Sequence, residues 1–410
     1  MKILQINNYH FLKGGSETVY LNTGKLLESK GHDVIYFSTL NEKNIPYGIN
    51  DYFVNSGNPI NGGLLKKILN FPSFLYNRSA YRNLNRLLVN EKPDIAHLHI
   101  FYGGLTSAIL KALNECSIPV VMSVHEYKIL CPTYTLLTNT KKICEKCGTG
   151  NYGHCVINKC NKGNFLFSLI SAIESVFRDC FFDYKTKINH FIMVSDFIRR
   201  KHVQYYPEIS NKSTVIYNFQ SLPKADIVPV KECDLVYFGR LSKEKGLMTL
   251  LECLKRNKKI TLKLIGVGPL SKAISEFVKI NSMNNIEILG FQSGNDLWNH
   301  VKSSRFTIVP SEWYENNPMS VIESLFLGVP VIGANIGGIP EIVKNNHGFL
   351  HESGSIDDML DKIKRALNLS SQEYYHFCEN GQKFANEMFS ENVHYEKLIE
   401  VYSSLIKSRI

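Results

Sequence analysis

An α/β protein of two domains is what this sequence predicts, each domain a parallel sheet covered by helices. Three observations carry the prediction. The chain has 410 residues, roughly twice what one ordinary core supports. Short runs rich in Ile and Val alternate with amphipathic stretches from end to end. The runs are apolar almost continuously, as in strands buried on both faces. Composition is ordinary, 44% hydrophobic and 20% charged, which excludes a disordered chain.

In the first half, strands are expected to begin at Lys2, Asp33, Asp94, Pro119, His190 and Thr214. Helices fill residues 17–29, 64–89 and 105–114. The pattern weakens over 218–231, where Ser221, Pro223, Lys224, Asp226 and Pro229 mark a linker. It restarts at 234–240, with further strands over 261–265, 286–289, 306–309 and 329–332. The domains are therefore 1–217 and 232–388, followed by a helical tail, 389–410. The halves echo each other in architecture without repeating sequence. Open parallel sheets bind ligands beyond the carboxyl ends of their strands, so a cleft between the two domains is the expected site.

Lys2 leads into the short run Ile3-Leu4-Gln5-Ile6 before polar Asn7 and Asn8, a first strand rather than a signal-peptide core. No apolar stretch approaches the ~18 residues of a spanning helix. A cytoplasmic protein is expected. Its net charge of +10 is unevenly placed. Residues 1–205 hold 24 Lys and Arg against 14 Asp and Glu, and the remainder holds 23 against 23. A basic half suits an anionic membrane surface or an anionic substrate, or is a scattered solvated surface. No nucleic-acid partner is expected. Within that half, Leu166, Leu169, Ile170, Ile173, Val176, Phe177 and Cys180 recur at helical spacing, with Glu174, Arg178 and Asp179 between them. This stripe either packs on its own domain or lies peripherally on a bilayer.

The chemistry is carried by loops that follow strands. Gly14-Gly15-Ser16-Glu17 opens a helix after the first strand, where bare backbone amides favour an anion. Gly239-Arg240-Leu-Ser-Lys-Glu-Lys245-Gly246 places two cations five residues apart between a strand and a helix, as a diphosphate requires. Gly266-Val-Gly268-Pro269 invites a dinucleotide reading, but Ser271 stands where the third glycine belongs, so that reading is rejected. The most informative stretch is Val309-Pro-Ser-Glu-Trp-Tyr-Glu315-Asn316-Asn317-Pro318-Met319-Ser-Val-Ile-Glu323. Pro318 suits the first turn of a helix, leaving Glu315 in the preceding loop and Glu323 inside it. Free amides there cradle phosphate or sugar oxygens. A carboxylate deeper in the helix suits two ribose hydroxyls.

The Glu315-x7-Glu323 pair, followed by Gly328-Val-Pro330, resembles the signature of the retaining glycosyltransferase family 4. The Gly14-Gly15 loop, Ser123-Val-His125-Glu126-Tyr127, Phe238-Gly-Arg240 through Gly246, and Gly337-Gly338-Ile-Pro-Glu341 fall in the order of that family. The resemblance implies the glycosyltransferase-B fold, two Rossmann-like domains facing across a cleft. It also implies a C-terminal helix that crosses back to the first domain, to which 389–406 is similar through Val393, Leu398, Val401, Tyr402 and Leu405. It assigns the diphosphate and leaving-group charge to Arg240 and Lys245, the ribose to Glu323 and the donor sugar to Glu315. Asn316, Asn317, Pro318 and Met319 would line the pocket, with Gly266 in the nucleotide-binding set. Gly14 and Gly15 would meet the diphosphate, and His125 the transferred sugar. The implied donor is a UDP- or GDP-sugar and the acceptor a glycan or lipid-linked sugar of a surface polysaccharide. Retention by front-face attack follows from the same resemblance. No Asp-x-Asp pair is present, and Arg240 and Lys245 can supply the positive charge, so catalysis without a metal is expected.

Five of the ten cysteines, Cys131, Cys144, Cys147, Cys155 and Cys160, fall close together. Disulfides are not expected without a secretory signal. The Cys144-x2-Cys147 knuckle suggests a structural zinc in an insert over 128–163, with Cys131, Cys144, Cys147 and Cys160 as ligands. Cys155 or His154 forms the alternative set, and a cysteine-rich loop without metal is the third reading. Two other functions compete with transfer: a nucleotide-sugar epimerase on the same fold, and a zinc-organised binding protein. The first is disfavoured by the Glu315–Glu323 arrangement, the second by the intact Arg240, Lys245, Glu315 and Glu323.

Overall fold

The computed structural model describes residues 1–46, 48, 50–57, 71–222 and 231–408. They form two compact units, one of residues 1–216 with 394–410, the other of residues 217–393. In unit 1 the order is β1 (Lys2–Ile6), α1 (Gly15–Ser29), β2 (Asp33–Phe37), α2 (Phe71–Leu75), α3 (Arg78–Glu91), β3 (Ile95–Leu98), α4 (Ala108–Glu115) and β4 (Val120–Val124). Then come α5 (Gly153–Ile157), α6 (Phe165–Phe181), α7 (Tyr184–Lys187), β5 (His190–Met193), α8 (Asp196–Tyr205) and β6 (Ser213–Val215). All six strands expected from the sequence are present. They pair in parallel in the order β2-β1-β3-β4-β5-β6.

Residues 64–70 of the helix expected over 64–89 lie outside the described residues. The rest is two helices, not one. Asn77 separates them: its backbone is extended and its side chain accepts from Ala80 N at 3.1 Å, capping α3.

Unit 2 runs β7 (Cys233–Phe238), α9 (Leu247–Lys255), β8 (Leu262–Ile265), α10 (Ser271–Ile280), β9 (Ile286–Gly290), α11 (Gly294–Lys302) and β10 (Ser304–Val309). It continues with α12 (Met319–Phe326), β11 (Val331–Ala334), α13 (Ile339–Ile342), β12 (Gly348–His351), α14 (Ile356–Leu367) and α15 (Ser371–Phe389). The sheet order is β12-β11-β10-β7-β8-β9. The sequence pattern does not reveal β12, a four-residue edge strand whose Phe349 and Leu350 are only half buried.

The order of this sheet reverses between β7 and β10, which pair directly. A crevice opens at such a switch point, because the connections leave the two strands in opposite directions. The two loops bounding it are 239–246 and 310–318, those that carry Arg240, Lys245 and Glu315.

Of the expected linker, 223–230 lies outside the described residues, and 217–222 belongs to unit 2. The last helix, α16 (Glu391–Lys407), belongs to unit 1 from His394 onward. Its Leu398, Val401 and Tyr402 join a core containing Ile3, Val34, Tyr36 and Ile95. Edge strand β2 thereby has a covered apolar face. Phe389, expected in this helix, instead ends α15 and packs with Val321, Leu325 and Ala385.

Candidate donor-binding site

Glu315 is a firmly held carboxylate of unit 2. It is buried, and one oxygen accepts from Lys245 Nζ and from Ser311 Oγ, each at 2.6 Å. Burial alone would raise its pKa. The charge and hydrogen bond of Lys245 and the bond from Ser311 outweigh burial and hold it below the usual range. Glu315 is therefore ionised, and Lys245 is tied to it. The Lys245 ammonium also stands 5.3 Å from the Trp313 ring centroid.

The backbone of Glu315 is clamped from the β11 side. Gly338 N–H donates to its carbonyl at 2.7 Å. Gly337 has φ +62°, and a Cβ there would fall 2.3 Å from the same oxygen. No side chain fits, so glycine is required. In the sequence these glycines only mark the family resemblance. Their function shows when β11 is placed beside β10.

Arg240 differs from Lys245. It is exposed, and its guanidinium forms no ion pair or hydrogen bond among the described residues. Its carbonyl accepts from Tyr237 Oη at 2.9 Å, which fixes the turn. Gly266, φ +135°, lets the loop after β8 press on that turn: a Cβ would lie 1.9 Å from Gly239 O. Gly266 is thus a packing residue that shapes the loop.

Pro318 is the N-cap of α12 rather than its first helical residue, and no side chain caps the helix. Val321 N–H bonds to Pro318 O, while the amides of Met319 and Ser320 have no acceptor among the described residues. They are two donors at a positive helix end. Asn317 is buried and held by Asn218: its Oδ1 accepts from Asn218 N at 2.8 Å and its carbonyl from Asn218 Nδ2 at 3.1 Å. Asn316 is half buried beside it. Glu323, one turn inside α12, accepts from Gln220 Nε2 at 3.0 Å. Burial pushes its pKa up to about 7, against the lowering effect of Gln220. From the sequence, Asn218 and Gln220 are no more than part of a linker.

Unit 1 holds Gly14, Gly15 and His125. Gly14 caps α1 with φ −170°, extended backbone open to any residue, and both glycines are exposed. Their contribution is an unobstructed helix start. Glu17 is buried in the first turn behind them.

His125 belongs to a group of histidines with His97 and His99. His99 Nε2 meets Gln5 Oε1 at 3.0 Å, and that oxygen can only accept. His99 therefore donates from Nε2 and, being neutral, accepts at Nδ1 from His125 Nε2–H at 3.0 Å. Gln5 Nε2 and Tyr402 Oη both donate to His97 Nδ1, at 3.4 and 2.6 Å, and His97 Nε2–H faces Ser123 Oγ at 2.8 Å. One set of tautomers satisfies these five bonds together. Burial keeps all three imidazoles neutral, His125 down to about 4. His97 and His99 are structural, and His99 fixes the proton on His125. The pKa of the adjoining Glu126 is pushed up to about 8 by burial, with Lys128 opposing and Glu17 adding.

The cysteines expected to hold a zinc lie within electrostatic reach of one another: burial, with Cys131, Cys160 and Cys144 adding, pushes the Cys147 thiol up. Among the described residues no three His, Cys, Asp or Glu side chains are placed to hold a metal ion. All ten thiols are free. Cys147 and Cys155 pack with Tyr152 and Ala172, and Cys131 Sγ bonds Thr133 Oγ1 at 3.3 Å. Local packing thus engages thiols that the spacing suggested as zinc ligands.

Known proteins bear on this geometry. Residues 219–384 match the family model for group 1 glycosyl transferases, and residues 13–145 that for glycosyltransferase family 4. An uncharacterized glycosyltransferase of Methanocaldococcus jannaschii is 26% identical over 77% of this chain and 77% of its own. A 42.6 kDa protein of the cps region of Klebsiella pneumoniae is 23% identical, covering 88% of this chain and 92% of that one. The structure of Anabaena HepE in complex with UDP-glucose superposes with a TM-score of 0.65 at 17% identity, over 98% of this chain and 100% of that chain. The last shows a shared glycosyltransferase-B fold.

Proposed function

We propose a mechanism for a chain that belongs to the group 1, family 4 glycosyltransferases: retaining transfer of a sugar from a nucleoside diphosphate donor held in unit 2. The protein is a glycosyltransferase of the kind that builds capsule- or lipopolysaccharide-type glycans. One observation carries the donor assignment. Around the β7–β10 switch point stand an uncommitted guanidinium, an ionised Lys245–Glu315 pair and two acceptorless amides at the start of α12.

Each group has a task in this reading. Arg240 and the amides of Met319 and Ser320 neutralise the diphosphate as its bond to the sugar breaks. Glu323 accepts from the ribose hydroxyls when ionised. Glu315 accepts from a donor-sugar hydroxyl, and Lys245, already bonded to it, adds positive charge beside the leaving oxygen. The acceptor hydroxyl bonds the anomeric carbon on the face from which the diphosphate leaves, and the leaving phosphate oxygen takes its proton, which retains configuration. The positive charge comes from side chains and amides, consistent with transfer that needs no metal. UDP is the favoured base-bearing group, since HepE binds it on the same fold. A sugar carried on lipid is the favoured acceptor.

Incubation with UDP- and GDP-sugars and a lipid-linked acceptor tests the reading. Acceptor-dependent release of nucleoside diphosphate with an α-linked product from an α-linked donor is expected. An interconverted nucleotide sugar without acceptor would show an epimerase, and an inverted linkage would overturn retention.

A further inference from the structure

We propose that the outer face of α6 docks this protein onto an anionic lipid bilayer. The docking deepens the lipid-linked acceptor reading and rests on it for its purpose, though its evidence is separate.

The polarity of α6 is reversed. Its buried residues are Ser168, Ser171, Ala172, Glu174, Ser175 and Arg178, polar but for one alanine. Arg178 is fully buried and donates to Asp179 Oδ1, Lys128 O and Tyr152 Oη, each at 2.7 Å. Lys128 pairs with Glu174 at 2.5 Å. The outward face is apolar: Phe165 is 56% exposed, Leu166 47%, Ile173 40%, Val176 50% and Phe181 66%. Cys180 is exposed among them. These side chains share one face of a 17-residue helix about 25 Å long. A soluble helix ordinarily turns such a stripe to its core. Here a buried ionic network takes the inward face, and the stripe is left exposed at Phe165, Leu166, Ile173, Val176 and Phe181 and half buried at Leu169, Ile170 and Phe177.

The charge around this face selects the occupant. Over 128–187 the acids are Glu145, Glu174, Asp179 and Asp183, and each is engaged: with Lys201, Lys128, Arg178 and Lys185 respectively. Lys159 and Lys162 precede the helix and Lys187 follows it. All three are exposed and form no ion pair among the described residues. An apolar strip with cations at both ends suits acyl chains beneath anionic headgroups. A second copy would bring the same cations against its own. No described helix is long and apolar enough to cross a membrane, so α6 would lie in the interface.

Sedimentation of the full chain with phosphatidylcholine vesicles, with and without phosphatidylglycerol, tests the proposal. Binding only with phosphatidylglycerol is expected, weakened about tenfold or more by Ile173→Glu with Val176→Glu. Lys159→Glu with Lys162→Glu should weaken it less, and added salt should too. Absence of binding, or a double-Glu variant that binds like the parent, overturns the proposal. Cys180 is the internal control. In lipid-free protein it should react with maleimide, and vesicles should protect it. Protection without lipid would mean that the chain itself or a second copy covers the face, and would also overturn it. UDP binding by calorimetry should be unchanged in these variants. Loss of UDP binding in the parent would instead count against the donor site.

Discussion

The tripeptide Ile-Glu-Ser occurs in α6 at 173–175 and in α12 at 322–324, with opposite outcomes. In α12, Ile322 is buried and Glu323 is half buried, accepting from Gln220. In α6, Ile173 is exposed and Glu174 is buried against Lys128. Local pattern sets the helix in both cases. Which face turns inward is decided by partners far away in sequence: a hydrophobic core in one, Lys128 and Tyr152 with Arg178 in the other. A buried ion network is no stronger than a hydrophobic core, but breaking it is costly.

The largest expected effect probes that network. Arg178→Ala should destabilise the protein by about 3–5 kcal/mol, because Asp179 and Tyr152 lose a buried partner. Denaturant unfolding of the variant measures it. A loss within the noise of a surface change would contradict the reversed face. In α12 the comparison shifts from stability to chemistry. Glu315→Ala should lower turnover about 10²–10³-fold, the range for one preorganised transition-state group, with UDP affinity largely retained. Steady-state kinetics with binding measured separately checks this.

A smaller effect comes from protons. Glu323 has a folded pKa of about 7, raised by burial. It is protonated below that value, so it serves the ribose hydroxyls best above it. UDP affinity should drop roughly tenfold from pH 8 to pH 6, following one ionisation of that pKa. Glu323→Gln should flatten the profile. The same raised pKa makes unliganded stability fall as pH rises from the unfolded value near 4.3 through 7. The smallest effect is on the outer face of α6, where Ile173→Glu should change stability by about 0.5 kcal/mol or less. A large loss there would show that Ile173 is packed after all.

Legibility in the sequence follows the same division. In unit 1, β1 to β5 are readable because buried parallel strands are apolar almost throughout, while β6 is half buried along its length. In β12 only Gly348 and His351 are buried, and that strand escapes the pattern. The loops carrying Arg240, Lys245 and Glu315 are readable because motif and strand end coincide. Ser311, Asn218, Gln220 and the role of Gly337 are not, since each acts on a motif residue from another loop. The stripe of α6 is visible as a stripe. Its direction is not, because it depends on a salt bridge between residues 128 and 174. For the thiols, spacing suggests a tetrad, and the fold brings Cys131, Cys144 and Cys160 into electrostatic reach of Cys147.

Most depends on whether unit 2 holds a nucleoside diphosphate at the β7–β10 switch point through Arg240, Glu323 and the start of α12. Calorimetric titration of UDP into the parent, Arg240→Ala and Glu323→Gln at pH 8 tests this directly. Measurable binding by the parent is expected, with losses of about tenfold or more in each variant, since a charge-assisted hydrogen bond contributes about 1.5–3 kcal/mol. Equal binding by all three proteins would contradict the assignment.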